Sequence, residues 1–179
     1  MNRFVTALLA TGVLAGGASR AHAQVSVAAG VGAGWGRVSC DVCQTSRDLG
    51  PTAFMRVGKS MRLGVQIAGE ATVWTHEVED VRENMGAAMA VLYLHPRQGA
   101  LYVKSGAGFV GYRAGDDIAM NALGLQLGAG YELRLGGMAV TNYLTLIGSS
   151  FGSLKNRDAT IAEDVSTTLL QFGVGFTLR

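Results

Sequence analysis

VSTTLLQFGVGFTLR, residues 165–179, decides the fold. Leu170, Phe172, Val174, Phe176 and Leu178 fall on one side of an extended strand. Thr167, Gln171, Gly173, Gly175 and Thr177 fall on the other, with Leu169 as the large apolar exception. Side chains alternate faces along a strand, so the segment has an apolar face backed by a small, polar one. A strand at the edge of a sheet presents unpaired N–H and C=O groups. Closing the sheet on itself removes that edge, and in lipid a closed sheet is the only sheet that satisfies its backbone.

The same period of two recurs upstream. Residues 24–35 set Val25, Val27, Ala29, Val31, Ala33 and Trp35 against Ser26, Ala28, Gly30, Gly32 and Gly34. Residues 61–74 set Met61, Leu63, Val65, Ile67, Ala71 and Val73 against Arg62, Gly64, Gln66, Glu70 and Thr72. Residues 121–134 oppose Leu123, Leu125, Leu127 and Leu133 to Gly124, Gln126, Gly128 and Glu132. Repeated alternating segments of about ten residues are the signature of a barrel that spans a membrane. Weaker strands are expected at 50–57, 85–94, 100–112 and 138–149, which with the last segment makes eight. In 85–94, Ala, Met, Val and Leu occupy both sides, so its faces stay open. Connections at 58–60, 95–99 and 135–137 are short and rich in turn formers. Those at 36–49, 77–84, 113–119 and 151–164 are long and polar, and they hold eleven of the thirteen acidic residues. Short turns at one end and long loops at the other match an outer-membrane barrel with its long loops outside.

The amino terminus reads as an export signal. Met1-Asn2-Arg3 is a basic start, residues 4–19 are uncharged and mostly apolar, and Ala21-His22-Ala23 is an A-x-A cleavage site. Residues 1–23 are therefore expected to be a cleaved signal peptide and 24–179 a barrel domain of 156 residues. Arg3 and Arg20 leave with the signal, so thirteen basic residues face thirteen acidic ones. A neutral chain without a clustered basic surface excludes nucleic acid as a partner. After the signal no segment has 18 uncharged apolar residues, so strands are the only route through a bilayer.

Direction follows from the polar faces. A soluble eight-stranded barrel turns its apolar face inward and exposes a densely charged exterior. Here the polar faces carry Gly, Ala, Gln and Thr with isolated charges, which suits a crowded interior. Eight strands enclose just enough room for side chains and leave no open pore. Arg56, Arg62, Glu70, Lys104, Glu132 and Arg134 are expected to share that interior as a charge network. At least one Glu should pair with an Arg or Lys there, because unpaired buried charge is costly.

The chain resembles the small eight-stranded outer-membrane β-barrel proteins, the group that includes the OmpA transmembrane domain, OmpX and OmpW. Signal, strands and loop asymmetry carry the resemblance, and so does a terminal assembly signal at Gln171, Gly173, Phe176 and Leu178. Arg179 stands where the family ends on an aromatic residue. The resemblance implies an all-β, eight-stranded antiparallel up-and-down transmembrane barrel, exported and then integral to the cell outer membrane. No enzymatic role and no cofactor are expected. The expected function is structural or surface-interacting, through the extracellular loops. The alternatives are a narrow channel for small apolar molecules and, third, a membrane lipid hydrolase. Outer-membrane lipids, lipopolysaccharide and the outer-membrane assembly machinery are the expected partners of a monomer.

Remaining motifs allow sharper readings. Cys40 and Cys43 form C-x-x-C in the first long loop, and an exported chain makes a disulfide the preferred reading. A redox pair would want a helix N-terminus, and zinc would want two more ligands. His76 lies beside Glu77 and Glu79, with Ser39, Ser46 and Ser153 in the long loops, but no H-x-S motif accompanies them. A solvated rim residue is the plainer reading of that histidine. The loop acids read as a solvated face, since no calcium-loop spacing occurs among them. Trp35, Trp74, Tyr93, Tyr112 and Tyr143 suit an aromatic girdle wherever they face lipid and core packing otherwise, and alternation points Trp74 inward.

Overall fold

A computed structural model describes residues 25–40, 47–78, 81–96, 99–156 and 159–178. The expected signal peptide lies outside the described residues, so nothing in the fold bears on it. Eight strands follow in order: β1 (Val25–Ser39), β2 (Asp48–Ser60), β3 (Val65–Val78), β4 (Val81–Leu94), β5 (Leu101–Ala114), β6 (Ile118–Leu135), β7 (Met138–Asn156) and β8 (Ala159–Leu178). Each pairs antiparallel with its neighbour in sequence, and β8 returns to β1, closing the barrel. The closing register runs from Val27 opposite Leu178 to Ser39 opposite Ser166.

The wall points its large apolar side chains outward. Leu125 is 68% exposed and Phe176 62%, and Val31, Phe109, Leu123, Leu127, Phe172 and Leu178 share that surface. Gln126 and Gln171, one residue away on the other phase, are buried inside. A continuous apolar exterior of this extent has no favourable place in water, whereas acyl chains accept it. Among the described residues no helix is long and apolar enough to cross a membrane.

Structure and expectation part company in two places, and one open question is answered. The strand expected from Met61 begins only at Val65, because Leu63 and Gly64 take positive φ (65° and 75°) in a single turn of 3-10 helix at Arg62–Gly64. A side chain on Gly64 would also press on the His95 carbonyl. The expected loops at 77–84, 113–119 and 151–164 are largely strand: β3 and β4 reach Val78 and Val81, and β7 runs to Asn156. Above the lipid both faces of a hairpin are wet, so the apolar alternation that signals a strand disappears there. The open faces of 85–94 are settled as well, with Met85, Ala87, Met89, Val91 and Tyr93 inside.

The interior has two storeys. At the end holding the termini it is polar, built on Arg56, Glu70, Lys104, Gln126 and Glu132. Toward the long-loop end it is apolar, with Trp74, Met85, Val110, Met120, Ile147, Leu154, Val165 and Leu169 in one cluster. Leu169, the exception in the terminal strand, belongs to this upper storey. Glycines make room for the larger inward side chains. A Cβ on Gly36 would meet the Trp74 ring at 2.7 Å, and one on Gly124 would overlap Val110.

Candidate functional site

The lower storey is a closed polar network. Alternation brings Glu70 from β3, Lys104 from β5 and Gln126 from β6 to one level of the lumen. Lys104 Nζ donates to Glu70 Oε1 at 2.6 Å, and Gln126 Nε2 donates to the same oxygen at 2.5 Å. The Tyr93 hydroxyl donates to Glu70 Oε2. Beside this cluster, Arg56 Nη2 donates to Thr177 Oγ1 at 3.0 Å and lies 3.4 Å from Glu132 Oε1. Its guanidinium stands 4.6 Å from the centre of the Tyr93 ring, which joins the two ion pairs. His95 Nε2 approaches Glu132 Oε2 at 3.6 Å. Arg56 is 2% exposed and Glu132 1%, so the pairs are sealed from water on both sides. Charges this buried are tolerated only when paired and hydrogen-bonded.

Above the apolar storey lies a small vestibule at the long-loop mouth. Its volume is about 290 Å³. Trp74, Met85, Tyr112 and Leu154 form its walls, and Asp48 and Glu83 stand at its rim. Trp74 is fixed by an Nε1–H bond to the Gly34 carbonyl at 3.0 Å. His76 stacks on Trp74 with ring centres 5.9 Å apart and reaches Asp48 Oδ1 at 3.9 Å. Among the described residues no serine hydroxyl hydrogen-bonds His76, and Ser46 lies outside them. A hydrolase would need an activated hydroxyl within reach of this histidine. Among the described residues no group of three or more His, Cys, Asp or Glu is placed to hold a metal.

The network expected from sequence is placed as follows. Arg56, Glu70, Lys104 and Glu132 meet in the lumen. Arg134 does not: it has the inward phase, but at the end of β6 it stands exposed at the short-turn rim, beyond the closed section. The side chain of Arg62 lies outside the described residues. Gln171 is buried against the lumen, Gly173 lines the same wall, and Phe176 and Leu178 face out from β8. Cys40 follows β1 and packs against the apolar storey, while Cys43 lies outside the described residues and takes the question of a bridge with it. Sequence reasoning missed Tyr93, Tyr102 and His95. Of the aromatic residues read as girdle, only Trp35 faces out, at 41% exposure; Trp74, Tyr93, Tyr112 and Tyr143 fill the interior. The available signal was phase: Tyr102 sits two residues from Lys104, and Tyr93 pairs across the ladder with Lys104.

The sequence matches no protein-family model and no curated protein. Among solved structures the chain is similar to Neisserial surface protein A, at 15% identity and a TM-score of 0.55, over 87% of this chain and 97% of that one. It is similar also to Ail, the attachment invasion locus protein of Yersinia pestis, at 9% identity and a TM-score of 0.59, over 87% and 99%. Ail in complex with the heparin analogue sucrose octasulfate matches at 11% identity and a TM-score of 0.53, over the same shares. These structures are small eight-stranded outer-membrane barrels, and at such identity the likeness concerns the fold.

Proposed function

We propose that the chain is an integral protein of a bacterial outer membrane that works at its outer surface as a structural or interaction protein. The observation that carries this reading is the closed lumen. Glu70–Lys104 and Arg56–Glu132 bar the lower storey, and the apolar cluster packs the upper one. With no axial path among the described residues, the surface left to act is the long-loop end. There β7 and β8 pair on to Asn156 opposite Ala159, well past Ser166, where the pairing of β8 with β1 stops. Lipopolysaccharide would surround that end, and the terminal strand would be read by the assembly machinery during insertion. The attachment role in the name of Ail supports the general class. Its heparin-analogue complex belongs to that protein; at the long-loop end here Glu77, Glu83, Asp116, Asp117 and Glu163 are interspersed with Arg37, Arg47, Arg82, Arg113 and Lys155. The test joins two measurements. The protein should fractionate with outer membranes and change gel mobility on heating, and it should add no conductance to a planar bilayer. A soluble protein, or an open ohmic pore, would overturn the reading.

A second reading, passage of a small apolar molecule, has the vestibule behind it. Its Leu154 wall lies within the stretch where β7 slips register against both neighbours, so an exit sideways into lipid would be short. In proteoliposomes, faster uptake of an apolar dye that Leu154→Arg abolishes would favour this route; equal uptake by empty vesicles would remove it.

A further inference from the structure

On the lipid-facing side of the wall, at the long-loop end, two arginines stand over an apolar groove. Arg37 on β1 is the register partner of Thr168 on β8. Arg47 immediately precedes Asp48, whose partner is Gly36, so the backbones of the two arginines sit at one height on neighbouring segments. Together with Trp35, Leu146, Thr168 and Leu170 they line a groove of about 480 Å³. Below it the Trp35 ring packs on Phe172 with centres 5.6 Å apart, continuing the apolar track toward the middle of the bilayer. Neither arginine makes an ion pair among the described residues, and Arg37 Nε is buried without a hydrogen-bond partner there. Two neighbouring like charges repel, and an unmatched buried donor is costly. An anion held between them relieves both, and guanidinium groups fit a phosphate by paired N–H bonds.

We propose that this groove binds a phosphorylated lipid of the outer leaflet, with the phosphate between Arg37 and Arg47 and an acyl chain along Trp35, Leu146 and Leu170. The proposal rests on the outer-membrane reading above, because only that address puts this rim in a leaflet of phosphorylated glycolipid. Charge and shape select the same class of ligand: a free phosphate would leave the apolar track empty, and a neutral lipid would leave the arginines unmatched. The girdle position of Trp35, with an amphipathic ring at headgroup depth, fits the same geometry.

Native mass spectrometry of the detergent-solubilised, folded protein tests this with three probes: diphosphoryl lipid A, its dephosphorylated form and inorganic phosphate. Wild type should retain one diphosphoryl lipid A at least tenfold more readily than the dephosphorylated form, and inorganic phosphate should not compete. Arg37→Gln with Arg47→Gln should lose that preference, whereas Arg113→Gln, an exposed arginine away from the groove, should keep it. Equal retention of both lipids by wild type would overturn the site, as would full retention by the double variant. The wild-type comparison stands even should the double variant fail to fold. Heat-modifiable mobility is recorded on the same samples: if the wild type lacks it, the outer-membrane reading falls, and if it is present without lipid preference, only the groove falls.

Discussion

Glu70 accepts from three donors at once, Lys104, Gln126 and Tyr93, and so it is the residue whose loss the lumen can least absorb. Glu70→Ala leaves the Lys104 ammonium buried beside Arg56 without its counter-charge. Breaking one side of a buried pair costs about 3–5 kcal/mol, while replacing the pair by uncharged groups of similar volume is often neutral. Urea unfolding in lipid vesicles should therefore show a large loss for Glu70→Ala and a small one for Glu70→Gln with Lys104→Met. Equal losses would mean the charges themselves do not hold this level of the lumen. Gly36 tests the upper storey in the same way. Its missing side chain is the space in which the Trp74 ring lies, so Gly36→Val should displace that ring and cost about 1–3 kcal/mol as overpacking. In a Trp35→Phe background the emission of Trp74 should shift to the red; unchanged emission would show that the ring has room elsewhere. Phase alone made Arg56, Glu70, Lys104 and Glu132 legible in the sequence, because a charge two or four residues from a glycine or glutamine in a strand shares its face. Arg134 has the same phase and misled, because phase says which way a side chain points and not whether the barrel still encloses it.

At the scale of elements, the spanning parts of the strands were readable and the parts above them were not. Within lipid every second residue must be apolar, and 121–134 or 165–179 show it plainly. Residues 151–164 obey no such rule, yet most of them are strand. Between Ser149 and Gly152, β7 carries one residue more than β8, and Ser149 and Gly152 both turn inward, so the alternation changes phase there. β8 answers with its own irregularity at Asp164, whose φ is 55°. An extra residue that re-aims the following side chains is what a β-bulge does, and it brings Leu154 and Ala162 onto the apolar storey. Asp tolerates the left-handed region and a β-branched residue does not. Asp164→Gly should leave the hairpin intact, while Asp164→Val should loosen it by about 1–2 kcal/mol, read as faster amide exchange along 152–165 with the spanning strands unchanged. If both variants exchange alike, the backbone at Asp164 is not constraining the hairpin. The first outer connection has a separate check. A bridge between Cys40 and Cys43 predicts no alkylation of the folded protein until a reductant is added, and labelling without reductant would rule it out.

At the scale of the molecule, the decisive property is that the barrel is inside out relative to a soluble one, and the cost of a charge should then report depth. An outward residue in a bilayer meets hydrocarbon at mid-height and headgroups at the ends. An outward residue in water would meet the same solvent everywhere. Leu125 lies near the middle of β6 and Leu135 at its end, and both face out. Arginine at the bilayer midplane of such a barrel costs about 2–4 kcal/mol and near the interface about 0–1 kcal/mol. Leu125→Arg should therefore destabilise the vesicle-inserted protein by several times as much as Leu135→Arg, measured by reversible guanidinium unfolding. The gap between the two variants should narrow in vesicles of shorter-chain lipid, where the headgroups come closer to Leu125. A soluble barrel with the opposite packing would also lose stability at Leu125, but through a crowded core, and its loss would ignore bilayer thickness. The two accounts thus agree on the sign of the effect and differ on its dependence on the surrounding lipid, which makes the thickness series the measurement that separates them.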